Sequence, residues 1–156
     1  MRDELQYAGE FDLLECKLHT VKSRTVDLLK EVLEIDIYED ILKGGMTGTV
    51  IIADTHSLIT SLPITGEEGL SIKVRTPGFN DEKSSLDFTG ERMFVINAIT
   101  MRAELSQGSQ VYALSFVSQE LLIANRITIS KSYTDNISAI VEDILSSEQY
   151  IGTKKE

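Results

Sequence analysis

His19, His56 and the lone Cys16 are the residues from which metal binding or nucleophilic catalysis would have to be built. A metal site on two histidines needs further ligands at fixed spacing, and a nucleophile needs a base within hydrogen-bond reach. Asp54, Thr55 and His56 could place a carboxylate and an imidazole at one strand end, but an Asp there also suits a turn or a helix cap. A single cysteine excludes an internal disulfide and a cysteine-built zinc cage, and it reads as a small apolar core residue. Three acidic pairs, Glu67 with Glu68, Asp81 with Glu82 and Glu142 with Asp143, could run acid–base chemistry. Each falls in an apparent loop or on a polar face, where solvation accounts for it. The run containing Gly44, Gly45 and Gly48 lacks the spacing of a dinucleotide fingerprint and the lysine of a phosphate loop, and it precedes a strand, so it reads as a β-turn. No catalytic residue, metal site or cofactor is expected from these residues.

Charge narrows the partners. The formal net charge of -10 opposes a nonspecific grip on DNA or on anionic lipid. Half of it sits in residues 1–45, which hold 11 acids against 6 bases. Glu31, Glu34, Asp36, Glu39 and Asp40 form its peak, with no base among residues 31–40. Tryptophan is absent and no aromatic ladder alternates with basic residues, so a single-strand-binding platform has no support. No apolar run approaches the roughly 20 residues that cross a bilayer, and the mixed charges of residues 1–6 do not resemble an export signal. The chain is expected to fold where it is made and to avoid membranes.

The elements that must position these residues are mainly strands. Leu33, Ile35 and Ile37 alternate with Glu34, Asp36 and Tyr38, and Leu70, Ile72 and Val74 alternate with Ser71, Lys73 and Arg75, the period of strands with one buried face. A strand with some irregularity is predicted over 11–18. Residues 47–54 are apolar or β-branched on both faces and read as a doubly covered strand. Residues 92–103 and 110–117 read as a long hairpin whose Gly108 supplies positive φ. Ile137, Ile140, Val141, Ile144 and Leu145 share one helical face, with Thr134 or Asp135 as N-cap, and short helical turns are predicted at 56–61 and 118–125. A length of 156 residues permits one real core. The fold class is therefore α+β, predominantly antiparallel β: a barrel or sandwich of six to eight strands covered by the helix of residues 135–147. Leu33, Ile35, Ile37, Ile51, Leu70, Ile72, Val74, Leu114, Phe116, Ile140 and Ile144 are expected in the core. Residues 1–150 form one domain, and 151–156 a polar tail.

The succession of segments over residues 10–150 resembles the baseplate hub proteins of contractile-tailed phages of the T-even type. It runs from the acidic strand Glu31-Val32-Leu33-Glu34-Ile35-Asp36-Ile37 through Thr47-Gly48-Thr49-Val50-Ile51-Ile52-Ala53-Asp54 and Leu70-Ser71-Ile72-Lys73-Val74. After the hairpin come Ser118-Gln119-Glu120-Leu121-Leu122, then Ile129-Ser130-Lys131-Ser132-Tyr133 and the helix from Ile137 to Leu145. The resemblance implies a tail-tube-like domain in a trimeric ring that joins the hexameric tail tube to the central spike of a virion and lets DNA pass, without enzymatic activity. It also implies two such domains per chain and further structure after the last helix, where this sequence has length for one. On that reading Glu34 and Asp36 are candidate lumen-facing or interface acids, since negative walls would not hold phosphates; if the five acids are scattered over a solvated face, water alone explains them. Two other classes fit the residues: an unrelated β-rich adaptor module, and a small acidic hydrolase.

Overall fold

The computed structural model describes Tyr7 and residues 10–62, 64–78, 84–106 and 108–153. The acidic pair Asp81 and Glu82 and the last three residues of the polar tail lie outside the described residues. Eight strands form one antiparallel sheet: β1 (Asp12–His19), β2 (Thr25–Asp27), β3 (Val32–Tyr38), β4 (Thr47–Asp54), β5 (Gly69–Arg75), β6 (Ser85–Phe88), β7 (Phe94–Ser106) and β8 (Ser109–Ser118). Among the described residues three short α-helices accompany it: α1 (Leu58–Ser61), α2 (Gln119–Ala124) and α3 (Ile137–Ser146). The α+β, predominantly antiparallel class predicted from alternation is the one observed. The hairpin of β7 and β8 turns at Gly108, whose φ is +90°. Neither β2 nor β6 was expected, because three or four residues are too few to show a period.

Topology forces the sheet to curl. The strand order is β2-β1-β5-β7-β8-β4-β3, with β6 on β5. Its two outermost strands, β2 and β3, are thus consecutive in sequence. In a flat sheet they would stand about 29 Å apart, at about 4.8 Å per strand. The chain from Asp27 to Val32 reaches at most about 18 Å. The ends must therefore approach, and residues 28–31 bridge them: the Leu28 N–H donates to the Cys16 carbonyl of β1 at 2.8 Å, and the Ala53 N–H of β4 donates to the Glu31 carbonyl at 2.8 Å. The result is a barrel closed over part of its length. Elsewhere Ile35 and Ile37 of β3 face Val74 and Leu86 across a groove of about 300 Å³, so Ile35, Ile37 and Val74 pack against the core but are only half-buried.

One core fills the barrel. Cys16, Leu18, Val50, Ile52, Leu70, Ile72, Phe94, Ile96, Tyr112, Leu114 and Phe116 are each at most 1% exposed. Burying one large aliphatic or aromatic side chain contributes about 1.5–3 kcal/mol. Gly48 is required at its place in β4, because a Cβ there would collide with the Phe116 ring and the Asp36 carbonyl.

Three expectations about burial are corrected. Leu33 is 63% exposed. Val32 pairs with Ile52 and Glu34 with Ile51, so Leu33 is the extra residue of a β-bulge and leaves the core side. A second bulge at Leu14, between the pairs Leu13 with Val74 and Glu15 with Lys73, is the irregularity anticipated in β1. Ile51 lies half-buried on the outer face of β4 while Val50 and Ile52 take the core side. Helix α3 forms where its pattern places it, with Asn136 and not Thr134 or Asp135 at the N-cap position, but none of its residues is fully buried, and Ile140 and Ile144 are only half-buried. It does not cover the barrel.

Candidate functional site

Glu34 and Asp36 project from the outer face of β3, opposite the core-directed Ile35 and Ile37. Pairing carries their rows across the sheet. Glu34 lies beside Ile51, then Ala113 and Thr100, and Asp36 beside Thr49, then Ser115 and Ala98. The outer positions of β4 and β8, including Thr49, Ile51, Ala53, Val111, Ala113 and Ser115, hold no charged residue. A sheet face meant for water alone ordinarily alternates in polar and charged side chains. Here the two carboxylates border a small-residue, uncharged strip. Glu34 is exposed and Asp36 half-buried.

The other acids of the 31–40 stretch go elsewhere. The Glu31 carboxylate stands 3.7 Å from His56 Nδ1. Asp40 Oδ1 accepts the Leu42 N–H at 2.9 Å, stiffening the β3–β4 loop. Glu39 is exposed. Because a strand, a bulge and a loop distribute the five groups, their mutual repulsion is small in salt.

Asp54 and His56 do not make a catalytic pair. Asp54 is 1% exposed, with Oδ1 accepting the His56 N–H at 2.9 Å and Oδ2 accepting the Leu58 N–H at 2.7 Å and the Tyr112 hydroxyl at 3.3 Å. The carboxylate caps the start of α1. Burial, and then the adjacent Asp54 charge, push the Tyr112 phenol well above its ordinary range. Burial likewise pushes the Cys16 thiol up to about 12, which removes it as a nucleophile.

Two arrangements were not legible in the sequence. Glu68, expected at the surface, is 2% exposed. Its Oε1 accepts the Thr65 N–H and hydroxyl, and its Oε2 the Gly66 and Glu67 N–H groups, within 3.2 Å. It holds the loop before β5. On the outer face of β1 and β5, the Ser71 hydroxyl donates to Glu15 Oε1 at 2.8 Å and lies 3.0 Å from His19 Nε2. His19 Nδ1 lies 3.3 Å from the Thr25 hydroxyl, so both ring nitrogens are engaged by side-chain hydroxyls. Ser71 is only 1% exposed, which closes its hydroxyl off from a substrate. The Lys17 ammonium, then Ser71, hold the Glu15 carboxyl below the usual range. These contacts fasten β1 to β2 and β5.

Among the described residues no group of three or more His, Cys, Asp or Glu side chains could hold a metal ion. No helix among them is long and apolar enough to cross a membrane. No protein-family profile matches the chain, and no curated protein matches it significantly.

Proposed function

We propose that the chain is a structural subunit of a contractile phage tail: a baseplate hub component that self-associates into a ring, a trimer, between tail tube and central spike. The single observation that carries this reading is the uncharged outer face of β4 and β8 bordered by Glu34 and Asp36. Such a face suits contact with a neighbouring subunit, and its acidic border suits a passage from which phosphates must be repelled. The order of segments quoted above supports the same assignment, as does a barrel with unpaired sheet edges at β3 and β6 among the described residues. The chain has no catalysis of its own in this reading, touches DNA only by letting it pass, and resides in the virion. Its test is a mass measurement by light scattering, alone and with the tube and spike proteins of the same virion. A closed ring that binds both is expected. A monodisperse monomer that ignores both would overturn the hub and favour an adaptor module.

A further inference from the structure

The two ends of the barrel differ in chemistry. Strands β1 and β4 run the same way, because the four pairings that link them, β1 with β5, β5 with β7, β7 with β8 and β8 with β4, are all antiparallel. The turn after β1 and the chain leaving β4 therefore lie at one end, and the loop entering β4, residues 39–46, lies at the other. At the tip of that loop Ile41 is 98% exposed and Leu42 90%. The tip is held in place by Asp40, whose carboxylate accepts the Leu42 N–H and whose carbonyl accepts the Lys43 N–H, both at 2.9 Å. Two adjacent branched aliphatic side chains are thus fixed in full contact with water, immediately after the acids Glu39 and Asp40.

At the opposite end a hollow of about 320 Å³ opens between the β1–β2 turn and the chain that follows α1. Val21 and Leu62 supply its apolar lining. Lys22 and Arg24 also line it, both exposed and neither in an ion pair among the described residues. Glu68 borders the hollow too, but its oxygens are occupied by the loop donors named above. The charge available to a visitor is therefore positive. The volume lies at the small end of the range for ligand pockets and suits a pair of side chains.

We infer that the two ends are the halves of one self-association contact, in which Ile41 and Leu42 of one copy enter the hollow of the next, with Glu39 against Lys22 and Arg24. Charge complementarity identifies a second copy of this chain as the occupant: a chain of net charge -10 repels itself over most of its surface, and here a tip carrying Glu39 and Asp40 against the single Lys43 meets a rim carrying Lys22 and Arg24. The two patches are different, so the contact is heterologous and propagates end to end or closes on itself. It involves few residues and is therefore weak and concentration-dependent. It does not require the hub reading, since side-to-side contacts in a ring would leave both ends free.

Sedimentation of the full chain over a range of concentrations tests this without tube or spike protein, so its outcome is separate from that of the hub experiment. The weight-average mass should rise with concentration for the native chain. Ile41→Asp with Leu42→Asp should abolish the rise, as should Lys22→Glu with Arg24→Glu, with thermal melting unchanged because all four side chains are exposed. Mixed together, the two double variants supply one intact half each and should stop at the mass of two copies. A native chain that stays monomeric throughout, variants that assemble as the native chain does, or a mixture that remains monomeric or grows beyond two copies would each overturn the inference.

Discussion

The β4–β8 pair and helix α3 carry equally regular apolar patterns, yet they come to different ends. In β4 and β8, Val50, Ile52, Leu114 and Phe116 are at most 1% exposed, because each strand has a neighbour on both sides and the curled sheet closes over them. In α3, Ile137, Val141 and Leu145 recur every four residues and remain 80%, 47% and 42% exposed. Polar contacts hold this helix to the chain before it: Lys131 Nζ and the Tyr133 hydroxyl both donate to Asp143 Oδ2 at 2.9 Å. The Lys131 hydrogen bond, then that of Tyr133, keep the Asp143 carboxyl below its usual range. After the helix, the Thr153 hydroxyl donates to Glu120 Oε1 of α2 at 3.2 Å. An amphipathic period says that a face suits burial, not that the same chain supplies the cover.

Substitutions sharpen the contrast, and the largest effect belongs to the sheet. Phe116 packs its ring 4.6 Å, centroid to centroid, from that of Phe94. Phe116→Ala should cost about 3–5 kcal/mol in urea unfolding. A cost no larger than that of a surface change would remove the β4–β8 pair from the centre of stability.

Asp54→Ala comes next, because it leaves two N–H groups and the Tyr112 hydroxyl without their acceptor. A loss of about 1–3 kcal/mol is expected by the same measurement. Near-native stability would mean that water replaces the carboxylate at the start of α1.

Glu68→Gln tests the loop before β5 through pH. Burial alone would raise the Glu68 carboxyl, but the Thr65 and Gly66 N–H groups, then the Thr65 hydroxyl, outweigh burial and hold it below the ordinary 4.5. A depressed folded value means that the ionised form favours folding. Its stabilisation is full above the ordinary value and disappears as pH falls through the folded one. The stability difference between native chain and variant, followed by urea unfolding from pH 7 downward, should therefore shrink below about 4.5. A difference that grows with acid would contradict the hydrogen-bond assignment.

The smallest effect is expected in α3. Ile137→Ser should change global stability by no more than about 0.5 kcal/mol, since the side chain is already in water. A loss matching that of Phe116→Ala would mean that the helix does pack on the barrel, and the contrast would fail.

Alternation in β5, the doubly apolar run of β4 and the Gly108 hairpin made most of the sheet readable, because strand period and turn chemistry are local. The exceptions have non-local causes. Nothing within Glu31 to Tyr38 marks Leu33 as a bulge; the bulge exists because β3 must pair with β4 in a register that keeps both Val32 and Ile35 on the core side. Ile51 and Ile52 are the same residue type, and only the pairing of β4 with β8 decides which is covered. Glu68 looked solvated until Thr65, Gly66 and Glu67 folded their N–H groups around it. Of the candidate site, the residues Glu34 and Asp36 and their shared face were legible. The uncharged strip beside them was not, because it is assembled from strands more than fifty residues apart in sequence.

Electron cryo-microscopy of the chain assembled with its tube and spike proteins tests the proposed role most directly. The hub reading predicts a ring with an open axis toward which Glu34 and Asp36 of every copy point, with the outer face of β4 and β8 covered or lining the passage. Absence of a ring would contradict it, whereas those carboxylates on the outer wall, or paired with bases of a neighbouring subunit, would reject the lumen role and leave only solvation or subunit contact.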